Sequence, residues 1–192
     1  KIFPDQVWVF DKYAYNKFLN IYPNLDVRLK KNYYLNNFKK EIKKINQNNK
    51  KNTILIVTTP ISEKAMRIFK IKTYYGFTEL EYIDKIYKKI KNSKFKNFNI
   101  KLKIHPSEKV YEYQKYIHKK NLNIKICDSK NLLIYLKNVY CVIGFNSMLM
   151  YLIAETSKIK VLSFIPRGKI KNILPSKKIN NLTSFLNNDK DY

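Results

Sequence analysis

The sequence predicts an α/β fold in which a parallel β-sheet is covered by helices on both faces. Short apolar runs rich in β-branched residues, such as Thr53-Ile-Leu-Ile-Val-Thr58, alternate with segments whose apolar residues recur at helical spacing. These runs are apolar throughout rather than alternately polar, as strands buried on both faces are. At 139–154 the chain passes from an apolar strand through Gly144-Phe-Asn-Ser147 directly into an apolar helix, the kind of junction from which such sheets are built.

Taken in order, 7–10 reads as a strand, Asp11 as the cap of a helix over 12–20, and Pro23-Asn24 as a turn. Residues 26–30 alternate like a half-buried strand. Tyr34, Leu35, Phe38, Ile42 and Ile45 space a helix over 33–45. The polar run 46–52 has no reason to pack and marks a boundary. We therefore expect 1–50 to be the end of a preceding domain with its linker, and 51–192 to be the α/β domain. A chain that starts at Lys1 just ahead of a strand reads as a piece of a longer one. In the second part, strands are expected at 53–58, 99–104, 122–127, 140–143 and 159–164. Helices are expected at 79–92, 107–119, 131–137 and 147–156. A loop holding Pro60 and Gly76 follows the first strand. Beyond Arg167 the chain is basic and irregular, with a closing helix at 182–186.

The 192 residues include 39 Lys and Arg against 14 Asp and Glu, a net charge of +25. Nearly all of the excess is Lys, accompanied by much Asn, Ile and Tyr. That is how an AT-rich genome fills exposed positions, whereas specific readers of nucleic acid invest in Arg. Nucleic acid is therefore disfavoured as a partner, and loose peripheral attraction to an anionic membrane surface is expected instead. Cys127 and Cys141 lie apart in apolar runs, as buried free thiols of a reducing cytoplasm do. The best candidate for a membrane span, 139–154, is broken by Gly144, Asn146 and Ser147.

If the five strands are ordered 3-2-1-4-5, strand order reverses between the first and the fourth, and ligands bind beyond the carboxyl ends of strands at such a reversal. The loops there are Thr59-Pro60-Ile61-Ser62-Glu63 and Gly144-Phe145-Asn146-Ser147-Met148, with His105-Pro106-Ser107-Glu108 beside them. A helix opening at Ser147 offers free N–H groups and a positive dipole end to an anion, and Ser147 itself either caps that helix or binds phosphate. His105 is biased to extended geometry by Pro106, which suits the first turn of the next helix. It either caps its strand or pairs with a phosphate. Gly144 supplies a backbone conformation that other residues avoid. Thr58, Thr59 and Ser62 are turn residues or pocket lining. The chain has no GxxxxGK[ST], no GxGxxG, no GxSxG and no zinc-ligand spacing, so neither a metal nor a cofactor is expected. What remains is a Rossmann-like unit that holds a phosphorylated ligand through helix ends, hydroxyls and one His.

Four segments carry a family resemblance: Ile54-Leu-Ile-Val-Thr-Thr-Pro-Ile-Ser-Glu63, Gly76-Phe-Thr-Glu79, Lys103-Ile-His-Pro-Ser-Glu108 and Gly144-Phe-Asn-Ser-Met148. In order and spacing they resemble the C-terminal domain of a GT-B glycosyltransferase, especially the bacterial sialyltransferases and polysialyltransferases of capsule and lipooligosaccharide synthesis. The opening Phe3-Pro-Asp-Gln-Val-Trp-Val-Phe10 is similar to the last strand of the preceding GT-B domain. The resemblance implies that His105 and Pro106 form one motif on the donor nucleotide, and that Asn146, Ser147 and Met148 form the other. Thr59, Pro60, Ser62, Glu63 and Gly144 would line the donor pocket, and Glu79 would contact donor or acceptor. It implies an inverting sugar transfer, with the general base on the preceding domain and unassigned here.

The chain departs from UDP-sugar enzymes in carrying no carboxylate over 149–153, where they hold the ribose, and Glu155 comes late. CMP-linked donors of a sialic-acid-like sugar are therefore favoured, with a bacterial surface glycan as acceptor. The alternatives are a UDP-sugar transferase or sugar 2-epimerase, or a non-catalytic basic module for polyanions.

Overall fold

The computed structural model describes residues 4–45, 51–127, 132–166 and 173–188. It forms two compact units, Lys1–Glu41 and Ile42–Tyr192. The division falls late in a helix, ahead of the polar run at 46–52. Positions 46–50 of that run lie outside the described residues, as do Phe3, Asn131 and Arg167.

The first unit is built from β1 (Gln6–Val9), α1 (Lys12–Ile21), β2 (Asp26–Leu29) and most of α2 (Tyr33–Lys43). β1 and β2 pair in parallel, Val9 opposite Leu29. Asp11 caps α1 as expected, its Oδ1 accepting the Ala14 N–H at 2.7 Å. Asn32 does the same for α2, accepting the Leu35 N–H at 2.8 Å.

The second unit is α/β and Rossmann-like. Its six strands are β3 (Thr53–Val57), β4 (Asn99–Lys103), β5 (Lys125–Ile126), β6 (Val139–Gly144), β7 (Lys160–Ser163) and β8 (Ile179–Asn181). All pair in parallel, in the order β5-β4-β3-β6-β7-β8. This is the order 3-2-1-4-5 with one added edge strand. β3 lies between β4 and β6, and all five of its residues are buried. The helices are α3 (Ile61–Phe69), α4 (Glu79–Lys91), α5 (Val110–Lys119), α6 (Leu132–Leu136), α7 (Met148–Thr156) and α8 (Leu182–Asn188). Ile83, Ile86 and Ile90 of α4 recur at helical spacing and join Ile54, Ile56, Leu102 and Ile143 of the strands in one core. Each fully buried Ile contributes about 2 kcal/mol of transfer free energy. A reciprocal capping box between Thr78 and Glu81 starts α4, and Lys88, Lys89 and Lys91 favour its negative end.

Four expectations change. The segment read as a loop after β3 contains α3. Ile61, Ala65 and Phe69 recur every four residues, and the first two are buried. The helix stops at Lys70, whose φ of 58° is left-handed, and Phe69 stacks on Tyr74 at 3.6 Å. Helix α5 begins at Val110 rather than Ser107, so Pro106 stands in a turn ahead of it, closed by the Glu108 N–H donating to the His105 carbonyl at 2.9 Å. β5 is only two residues long. β8 precedes the closing helix α8, which runs to Asn188. Among the described residues no helix is long and apolar enough to cross a membrane.

Candidate functional site

Strand order reverses between β3 and β6, which pair Ile56 with Ile143, so the loops leaving them lie side by side. The Thr59 hydroxyl joins them, donating to the Phe145 carbonyl at 2.8 Å. Gly144 is required here by close approach rather than by an unusual backbone angle, which corrects its expected role. A Cβ on it would lie 2.4 Å from Val57 Cγ2, 2.8 Å from Met150 Sδ and 3.1 Å from the Val57 carbonyl. Asn146 is the residue in left-handed geometry, with φ 46°. Its Oδ1 accepts the Ile173 N–H at 2.9 Å and so fastens the segment after β7 to this junction.

A cavity of about 640 Å³ opens over the reversal. Four of the residues singled out in the sequence, Thr59, Pro60, Glu63 and Asn146, are in its wall. The same wall contains Lys64 and Arg67 from α3, Tyr75 from the loop before α4, and Ser107. Two cations against one carboxylate suit an anionic ligand. Lys64 and Arg67 escaped sequence reading because they lie on the helix taken for a loop. The signal was the spacing Ile61, Ala65, Phe69, which turns positions 64 and 67 away from the buried stripe.

A second cavity of about 480 Å³ shares Glu63 and Ser107 with the first and is walled also by Ser62, Glu79, Glu108 and Tyr113. Glu79 is 8% exposed and accepts the Ser62 N–H at 2.7 Å and the Ser62 hydroxyl. The opening of α3 therefore already holds an anion of the protein's own. Ser62 faces this carboxylate and not the first cavity, which corrects its expected place beside Thr59 and Pro60.

His105 is exposed at the end of β4. Its ring Nδ1 accepts the Ser107 N–H at 3.2 Å and lies 2.9 Å from the Ser107 hydroxyl. In the neutral imidazole this leaves the proton on Nε2. The His105 N–H donates to Thr58 Oγ1 at 2.8 Å and to Glu108 Oε2 at 3.2 Å. Glu108 also accepts the Thr58 and Tyr113 hydroxyls. Burial raises its carboxyl above the ordinary value, the bonds from Thr58 and Tyr113 partly offset this, and nearby Glu79 adds to the rise.

His105, Pro106, Gly144, Ser147 and Met148 line neither of these two cavities. Ser147 occupies the N-cap position of α7, yet its side chain makes no capping bond there. Met148 is 64% exposed. Glu155 points elsewhere, accepting from the Ser176 hydroxyl at 2.6 Å and the Lys178 ammonium at 3.1 Å. Both cysteines are free and buried. Among the described residues no three His, Cys, Asp or Glu side chains group as metal ligands would.

Fold and cavity together define a Rossmann-like α/β unit with an anion-suited cleft at its topological switch point. No protein-family model matches the chain, and no curated protein matches it.

Proposed function

We propose that the second unit holds the nucleotide of an activated sugar and that the chain belongs to a glycosyltransferase, sialyltransferase-like, which builds a bacterial surface glycan. The observation that carries this reading is the cavity at the β3–β6 reversal, where Thr59, Pro60 and Asn146 meet Lys64 and Arg67 in one wall. In such a transfer the acceptor oxygen bonds to the anomeric carbon as the bond to the donor phosphate breaks, and charge builds on the departing phosphate. Lys64 and Arg67 in the wall favour this second negative charge over the single charge of the intact donor's phosphate. Tyr75, in the same wall, would stack on the base.

Among nucleotides, CMP is favoured. The late carboxylate Glu155, the one acidic side chain of α7, is engaged by Ser176 and Lys178, which leaves no carboxylate on that helix for a ribose. The lysine-rich surface suits a protein that works beside an anionic membrane or acidic glycan.

Ligand-detected NMR with CMP, UDP, GMP and AMP tests the reading. Preference for CMP that weakens in Arg67→Ala supports it, and preference for UDP would move the reading to a UDP-sugar enzyme. A folded sample that binds none of the four, but binds a polyanion such as heparin, would replace it with a basic binding module.

A further inference from the structure

We infer that Glu108 is the positioning residue of this site, the group that sets the His105 loop at its working distance from the carboxyl end of β3. The inference rests on the nucleotide reading above and adds to it a residue that touches no ligand. One carboxylate collects donors from three separate elements. Its Oε2 takes the Thr58 hydroxyl from the end of β3 and the His105 N–H from the loop after β4, at 3.2 Å for the latter. Its Oε1 takes the Tyr113 hydroxyl from α5. Thr58 and His105 are also bonded to each other, N–H to Oγ1 at 2.8 Å, which closes a triangle on the carboxylate.

The connections run on toward the first cavity. Thr59 follows Thr58 directly, and its hydroxyl reaches the Phe145 carbonyl at 2.8 Å, next to Asn146. Ser107 lies between His105 and Glu108 and is held by the His105 ring. Thr59, Asn146 and Ser107 are part of the cavity wall; Thr59 and Ser107 are within two bonded steps of the Glu108 carboxylate, and Asn146 within four. Tyr113 is 4% exposed, so the carboxylate's third bond ties it to the core and adds stability, while the two bonds on Oε2 set the loop against β3. Removing the carboxylate would leave the His105 loop joined to β3 chiefly through Thr58 and free to shift by the fraction of an ångström that ligand geometry notices.

The test compares Glu108→Ala, Glu108→Gln and Tyr113→Phe, with CMP as the probe. Two quantities are read on folded samples: the CMP dissociation constant by NMR titration, and the hydrogen-exchange rate of the His105 amide without ligand. Glu108→Ala should weaken CMP binding by about tenfold, the scale of losing hydrogen bonds to a charged group, and should speed exchange at His105. Glu108→Gln, which keeps one acceptor oxygen, should fall between. Tyr113→Phe leaves the bonds to Thr58 and His105 in place, so it should lower the melting temperature while affinity stays within about twofold of the parent. Parent-like affinity in Glu108→Ala, or in Glu108→Gln if the alanine variant does not fold, would overturn the inference, because a purely structural role changes stability and not the affinity of folded molecules. Failure of the parent protein itself to bind CMP would sink the CMP reading instead. The His105 amide would then decide the positioning role alone, and unchanged exchange in Glu108→Gln would overturn it.

Discussion

Gly144→Ala should be the most damaging single-methyl change at the strand-order reversal. The added carbon would meet Val57 Cγ2 at 2.4 Å and the Val57 carbonyl at 3.1 Å, well inside ordinary contact. Val57 is 1% exposed, stiff about its first side-chain torsion, and part of the strand that is paired on both sides. The third neighbour, Met150 Sδ at 2.8 Å, ends a flexible side chain but is itself fully buried. With one neighbour able to give and two unable, the cost belongs near the top of the usual range for overpacking, about 3 kcal/mol. For a unit of this size that lowers the melting temperature by about 6–12 °C. Far-UV circular dichroism gives the transition, and exchange of the Ile56 and Val142 amides reports whether β3 and β6 have parted. A melting temperature within about 2 °C of the parent would refute the close-approach argument and return Gly144 to the role of a replaceable turn residue.

Three further outcomes are expected. Ser62→Ala should cost about 2 kcal/mol in urea denaturation, because the buried Glu79 carboxylate loses one of its two donors; a midpoint equal to the parent's would show that the bond is worth nothing. Cys141, 2% exposed and with its thiol pushed by burial up to about 12, should resist alkylation at mildly alkaline pH until the protein is unfolded, and rapid labelling of the native protein, followed by mass spectrometry, would contradict that burial. The Glu108 carboxyl is raised by burial, so the folded state holds its proton more firmly than the unfolded chain does. Its contribution to stability is therefore present below the ordinary carboxylate value and is lost as pH rises through the folded value. Melting curves across that interval should lose this component in Glu108→Gln, and an unchanged profile would mean that the group does not titrate differently on folding.

The parallel sheet was legible because its strands are short, apolar and β-branched. The order 3-2-1-4-5 was an assumption that alternation alone does not dictate, and it is the order found for the first five strands of the second unit. The parts that were missed share a physical cause. Helix α3 sits between Pro60 and a stretch containing Gly76, two loop signals that outweigh a four-residue apolar spacing only nine residues long. β8 carries Asn180 and Asn181 and gains its structure from pairing with β7, which no local pattern shows. At the site, Thr59, Pro60, Glu63 and Asn146 were reachable from topology. The bonds of Glu79 to Ser62 and of Glu108 to Thr58 and Tyr113 span distances along the chain that periodicity cannot see. Hydroxyls read as pocket lining turned out to be committed to carboxylates of the protein itself.

The central place of β3 also has a consequence for how the chain comes into being. Its neighbour β6 lies roughly 85 residues further along, and a ribosome working at about 5–20 residues per second delivers that length in roughly 4–17 s. Throughout that interval a nascent chain carries Ile54-Leu-Ile-Val57 with at least one flank unpaired, an apolar ribbon rich in β-branched residues and without charge. The lysine-dense segment ahead of it, with six Lys over 39–51, would repel its counterparts on neighbouring nascent chains and so act as a gatekeeper during those seconds. On this view part of the large positive charge serves synthesis rather than the finished molecule.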